Sequence, residues 1–147
     1  YTVAFSQFVF GCLPEEIQVM AQLHSGGADS QCALHLRYPG GAISRLFSSI
    51  EVTTEQDACI YGEKGYIRIP QFWSPDCAEL HTANKKETLH CPKEGEGFQY
   101  EFDTVMEDIR LGRLENDKIS HRFTLDVLDI LDEARRQMGV VYPQEKR

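Results

Sequence analysis

Apolar residues recur along this chain with two different spacings, which predict helices in some segments and strands in others. Residues 1–9 carry apolar side chains at helical spacing, and Gly11 and Pro14 mark the end of that segment. Nearly every side of this predicted helix is apolar, so it needs packing partners on more than one side.

The middle of the chain alternates between apolar and polar residues, and glycine or proline interrupts the alternation repeatedly. Such a pattern predicts strands joined as successive hairpins, which form an antiparallel sheet. The tightest turn is the Gly-Glu-Lys-Gly segment at 62–65, where we expect both glycines to adopt backbone angles that other residues resist. The predicted strands cover residues 17–24, 31–38, 42–50, 58–61, 66–69, 79–82 and 87–91.

Helical spacing returns after Pro92. One amphipathic helix is predicted from Phe98 until Gly112, and a second over residues 123–138 with Gly139 at its C-cap. The whole chain is therefore expected to form one α+β unit. Its architecture would be an open, mainly antiparallel β-sheet with helices packed on one face.

Composition and charge limit the classes of partner. The chain has 147 residues, which suits one domain, and no apolar run approaches the roughly 20 residues that cross a bilayer. Its formal net charge of −8 argues against nucleic acid or an anionic membrane as a partner. The five cysteines are widely spaced and include no C-x-x-C pair, which favours reduced thiols in a cytoplasmic protein.

Several signatures of chemistry are missing from the sequence. There is no G-x-G-x-x-G and no G-x-x-x-x-G-K-[ST], so it shows no loop that would hold the phosphates of a nucleotide. There is also no G-x-S-x-G nucleophile elbow. Cys77, His81, His90 and Cys91 fall in one segment, but their spacing is not that of a zinc site, and we expect no metal.

Large aromatic residues occur where the predicted elements end. Phe72 and Trp73 follow a predicted strand and lie between Pro70, which cannot donate to a sheet, and Pro75. Core packing and pocket lining both suit Phe72 and Phe98. Trp73 is better placed to line a pocket, because its indole N–H needs a hydrogen-bond partner.

Three segments, in this order, resemble the C-terminal domain of the Gfo/Idh/MocA oxidoreductases and, within that family, the dihydrodiol dehydrogenase branch. They read A-x-I-x-G-x-K-G-x-I-x-I-P-x-F-W-x-P at 58–75, G-x-G-F-x-Y-E at 95–101 and G-V-V-Y-P-Q-E-K-R at 139–147. The resemblance covers essentially the whole chain, and the order of the segments is more specific than any one of them.

The resemblance implies that residues 1–147 are the substrate-binding and dimerisation domain of an oxidoreductase that acts on the CH–OH group of a sugar, cyclitol or diol. An N-terminal Rossmann domain, absent from this chain, would bind NAD or NADP, so the chain alone is expected to bind no cofactor and to be inactive. A homodimer would form through the open sheet, with residues 33–37 and 43–47 as candidates for the shared face. The alternative is a stand-alone, non-catalytic assembly or ligand-binding module, which an open sheet also suits.

The same resemblance suggests roles for four residues. Tyr1 matches the tyrosine of a D-x-G-x-Y pattern that acts as general acid/base, helped by a lysine of the Rossmann domain. Such a cation is needed because a tyrosine hydroxyl does not readily release its proton at neutral pH. Phe72, Trp73 and Phe98 would line the substrate pocket.

Overall fold

A computed structural model describes residues 1–145 of the chain; Lys146 and Arg147, which end the third segment of the resemblance, lie outside the described residues. Short 3₁₀ turns occur at Pro39–Gly41 and Pro143–Glu145. The helices are α1 (Thr2–Phe10), α2 (Phe98–Arg110) and α3 (His121–Met138). The strands are β1 (Glu16–Leu23), β2 (Asp29–Arg37), β3 (Ile43–Ser49), β4 (Ala58–Gly62), β5 (Gly65–Ile69), β6 (Cys77–Thr82) and β7 (Lys86–His90).

The predicted α+β class is confirmed, and every strand pair is antiparallel. The strands divide between two sheets, with orders β1-β2-β3 and β4-β5-β6-β7, where the sequence suggested one. The chain correspondingly forms two compact units: Tyr1–Thr53 together with the chain from Asp117 onward, and Thr54–Asn116. No strand forms between Ser49 and Ala58, and β3 does not pair with β4.

The core of the first unit lies between one face of its sheet and two helices. Alternate residues of β2 are buried, and α1 and α3 cover the same face. Helix α1 buries Val3, Ser6 and Gln7, whereas Phe8, which the helical pattern counted among its apolar positions, is exposed. The buried apolar residues are Val3, Cys32, Leu34, Leu36, Tyr38, Ile130 and Ala134.

A small polar cluster lies inside this core. The hydroxyls of Ser6 and Tyr38 are 2.9 Å apart, and Ser6 also donates to Ser44 Oγ at 2.9 Å. The ring of Phe10 stacks on Tyr38 with 4.0 Å between centroids. Burial raises the pKa of Tyr38. This tyrosine therefore joins α1 to the sheet and stays neutral.

Helix α3 ends at Met138, as its sequence predicts, and begins at His121, slightly before the predicted Phe123. Ser120 caps its start by accepting from the Phe123 amide at 3.1 Å, and Gly139 adopts the left-handed conformation at its end with φ 73°. Near that end, Gln137 donates to the Ile17 carbonyl at 2.8 Å and accepts from the Val19 amide at 3.1 Å. The Gln137 side chain therefore hydrogen-bonds backbone groups on the outer edge of β1, with which no strand of residues 1–145 pairs.

The second unit contains the predicted β4–β5 hairpin, in which Gly62 pairs with Gly65. A Cβ on Gly65 would overlap the carbonyl oxygen of His81 on β6, so glycine is required there by close approach of the backbones. Gly62 has no positive φ, and its Cβ would meet nothing nearer than Gly65 O at 3.8 Å. The expectation of special backbone angles is therefore wrong for Gly62.

The predicted β6–β7 hairpin also forms, and α2 ends at Arg110, slightly before Gly112. Side chains alternate along β4–β7, which gives the second sheet one charged, aromatic face and one apolar face. The apolar side chains of α2 are exposed. None of the helices within residues 1–145 is long and apolar enough to span a membrane.

Candidate functional site

An aromatic corner, defined here as residues 70–75, follows β5 in the second unit. Gln71 takes the left-handed conformation with φ 45°, and its carbonyl accepts from the Ser74 amide at 2.8 Å, which closes a tight turn. Phe72 is half-buried within this turn, and Trp73 is 52% exposed. The corner therefore presents part of the indole ring to solvent.

Gln56, immediately before the β4 region, holds both aromatic residues of the corner. Its backbone carbonyl accepts from the Phe72 amide at 3.0 Å. Its side-chain Oε1 accepts from Trp73 Nε1 at 2.7 Å. The sequence showed that the indole needed a partner, but no local pattern identified Gln56, which is 17 residues away.

Lys93 also holds the aromatic corner, through Ser74. Its Nζ donates to the carbonyl oxygen of Ser74 at 2.8 Å and to Ser74 Oγ at 2.6 Å. Tyr100 Oη accepts from the Glu94 amide at 2.9 Å, which ties the following loop to α2. Phe98, the first residue of α2, is 63% exposed. The segment that precedes Phe98 is thus anchored to the corner that contains Trp73.

Tyr1 lies in the first compact unit, at the N-cap position of α1. Its carbonyl accepts from the Phe5 amide at 2.9 Å, so the residue is fixed to the helix through its backbone. Its side chain is 90% exposed. The structure therefore places the Tyr1 side chain at the surface of the first unit.

A charged network crosses the second sheet beside Gln56. Arg68 contacts Asp57 at 2.5 Å and Glu79 at 3.5 Å, and Glu79 Oε2 lies 3.0 Å from His81 Nε2. The hydrogen bond with His81 lowers the pKa of Glu79, with help from nearby Lys86 and Arg68. Each carboxylate already has a cationic or histidine partner, so the network cross-links strands and offers no unoccupied acid or base.

Candidate metal ligands in this region are dispersed. Cys77 lies opposite His90 in the β6–β7 register, whereas His81 lies opposite Lys86 and its ring contacts Glu79 and stacks on Tyr66. Within the described part of the chain, no group of three or more His, Cys, Asp or Glu side chains is placed to hold a metal ion.

An open groove of about 270 Å³ lies at the turn end of the β4–β5 hairpin. Its walls are mainly apolar and include Ile60, Ile67 and Leu80. None of Phe72, Trp73 and Phe98 lines it. The groove and the aromatic corner are therefore separate features of the second unit.

The face of the three-stranded sheet opposite α1 and α3 is covered by neither helix. The face opposite the helices carries Met20, Ala33 and Phe47, which lie side by side in one row across β1, β2 and β3. Met20 is 80% and Phe47 44% exposed. We call this row the open-face row. Polar residues occupy the neighbouring rows, including His35 and Arg45.

The fold and the order of its motifs agree with a family comparison. Residues 1–68 match the GFO/IDH/MocA C-terminal domain family. The resemblance inferred from the sequence is confirmed by this match and by dihydrodiol dehydrogenases that match along the whole chain.

Among individual relatives, the trans-1,2-dihydrobenzene-1,2-diol dehydrogenase of Homo sapiens is 33% identical over all of this chain and 46% of its own length. The chain thus spans about half the length of the curated relatives it matches. The aldose-aldose oxidoreductase of Caulobacter crescentus, solved with glycerol, superposes with a TM-score of 0.80 at 16% identity, over 95% of this chain and 43% of its own. An Agrobacterium radiobacter oxidoreductase, solved with NAD⁺, L-tartaric acid and magnesium, gives 0.72 at 14% identity, over 93% and 44%.

Proposed function

We propose that this chain is the substrate-binding and dimerisation domain of an NAD(P)-dependent oxidoreductase that acts on the CH–OH group of a sugar, cyclitol or diol. The observation that carries the proposal is the braced aromatic corner, found in a chain whose whole length is similar to diol dehydrogenases. Trp73 and Phe98 are exposed side chains on elements tied together by Lys93, so they are available to line a substrate pocket. Phe72, which is half-buried, is proposed to line the same pocket.

The cofactor is proposed to bind outside these residues. The sequence contains no glycine-rich strand-to-helix loop that would hold dinucleotide phosphates, so the chain does not itself fit NAD or NADP. A longer gene product, with a nucleotide-binding domain, would supply that site, in keeping with the length of the relatives. We therefore assign only substrate contact and proton transfer to residues of this chain.

Tyr1 is proposed as the group that takes the proton from the substrate hydroxyl during oxidation and returns it during reduction. Its exposed side chain is accessible to a substrate, and its backbone is held by α1. A cation from the nucleotide-binding domain would favour the ionised hydroxyl. Aromatic residues would therefore bind the substrate, and a different residue, Tyr1, would exchange the proton.

The open-face row is proposed as the dimer interface. It offers adjacent apolar side chains on a sheet face that the helices do not cover, and a second copy could present the same row about a two-fold axis. Polar rows on either side would form the rim.

All five cysteines are free, which supports a reducing compartment such as the cytoplasm.

A Phe47→Glu variant is expected to weaken this dimer at least 30-fold, because a carboxylate would replace a central apolar side chain (about 2 kcal/mol or more). Sedimentation velocity should show a dimer for the wild-type chain at micromolar concentration and a monomer for Phe47→Glu. Phe8→Glu is the matched control, since Phe8 is an exposed phenylalanine on α1. A monomeric wild-type chain, or equal dissociation by Phe8→Glu, would contradict the interface.

The alternative is a stand-alone assembly or ligand-binding module without catalysis. The open-face row favours this alternative, because dimerisation through the row requires no cofactor. The intact mass of the natural gene product separates the two: a product about twice the length of this chain supports the oxidoreductase, whereas one of this length supports the module.

A further inference from the structure

Trp73 is the only tryptophan in the chain, and its one polar atom is already engaged. The indole Nε1 donates to Gln56 Oε1 at 2.7 Å, a short and direct hydrogen bond. The backbone carbonyl of Gln56 also accepts a hydrogen bond from the Phe72 amide. Gln56 therefore contacts the aromatic corner twice, once through its backbone carbonyl and once through its side chain.

The backbone at Gln56 is unfavourable for a glutamine. Its φ of 57° lies in the left-handed region, which non-glycine residues adopt only at a cost. Glycine or asparagine would occupy this conformation more readily. Neither could bring an acceptor as far as the indole, because glycine has no side chain and asparagine is one methylene shorter. The strained conformation is thus combined with a side chain that reaches Trp73.

We propose that Gln56 is a positioning residue that fixes the orientation of the Trp73 ring. With the indole N–H held by Gln56, Trp73 presents its ring surface and no free donor to the solvent side of the corner. A ligand would then be held there by stacking of an apolar face on the ring. The identity of the ligand rests on the proposed function, whereas the hydrogen bond can be measured without any ligand.

The test is the indole resonance of the ¹⁵N-labelled chain, which contains a single indole N–H. In the wild-type chain we expect a downfield proton shift and slow exchange with water. Gln56→Ala should move the proton upfield and accelerate its exchange roughly two- to tenfold, as expected for loss of one hydrogen bond. Gln56→Asn should behave like Gln56→Ala although it suits the backbone better. Gln56→Glu keeps an acceptor at the same reach and should restore the wild-type shift.

Unchanged indole shift and exchange in Gln56→Ala and Gln56→Asn would overturn the proposal, as would failure of Gln56→Glu to restore them. Amide spectra check that the second unit remains folded, and Gln56→Asn keeps the test decisive if Gln56→Ala does not fold. Absence of any dehydrogenase activity in the gene product would sink the proposed function but leave this result intact. Conversely, an unaltered indole signal in Gln56→Ala would show that Gln56 does not position Trp73, and would leave the proposed reaction unaffected.

Discussion

Replacing Tyr1 by Phe in the full-length gene product is expected to lower kcat for diol oxidation by about 10²- to 10⁴-fold, with little change in KM. Phenylalanine keeps the ring but lacks the hydroxyl that would exchange a proton with the substrate. Because the side chain is 90% exposed and makes no side-chain capping bond, the substitution should leave the fold intact. Initial rates over a range of diol concentrations separate kcat from KM.

Tyr142→Phe is the matched control for this variant. Tyr142 is also exposed, and its ring lies 4.6 Å from the Arg135 guanidinium, a contact that phenylalanine retains. We expect its kcat to remain within about twofold of wild type, which is the usual scale for a surface change (within about 0.5 kcal/mol). Full activity of Tyr1→Phe, or an equal loss in Tyr142→Phe, would exclude Tyr1 as the proton-transfer group.

Gly65→Ala is expected to destabilise the second unit by about 3 kcal/mol or more. The added methyl would overlap the backbone carbonyl of His81, so β5 and β6 would have to separate at this point. The change can be followed through the fluorescence of Trp73, which belongs to the same unit, during unfolding in urea. A marked fall in the urea midpoint is the expected result.

Gly62→Ala tests whether the effect comes from the close approach and not from glycine loss in general. The methyl at position 62 would make only an ordinary contact at 3.8 Å, and the backbone there has no positive φ. Its expected effect is within about 1 kcal/mol and can be stabilising, because alanine restricts the unfolded chain. Similar midpoints for the two variants would show that the backbone approach at Gly65 is not required.

The helices and strands could be predicted from the sequence because their signals are local. Alternation placed β2, and in the structure Leu34 and Leu36 are buried at alternate positions as the pattern requires. Gly139 marked the end of α3 because glycine readily takes the left-handed conformation seen there. The ends of elements shifted by a few residues, as at the start of α3, where His121 precedes the apolar run.

The division of the strands into two sheets and the bracing of the corner could not be predicted, because both depend on distant residues. Periodicity shows that β3 and β4 are strands but does not determine whether they share a sheet. It also leaves open which side of β3 is exposed, since α1 and α3 decide that Phe47 lies on the uncovered face. Gln56 could not be identified as the partner of Trp73, because the two residues are 17 positions apart and only the folded chain brings them together.

Whether these residues form the substrate side of a nicotinamide-dependent dehydrogenase is tested most directly by cofactor reduction. NAD⁺ and NADP⁺ would each be incubated with trans-1,2-dihydrobenzene-1,2-diol, myo-inositol or glucose, with either the full-length gene product or the 147-residue chain. The expected result is reduction of at least one cofactor by the full-length product and none by the chain alone. No reduction by the full-length product with any of the three compounds, or reduction by the isolated chain, would contradict the proposal.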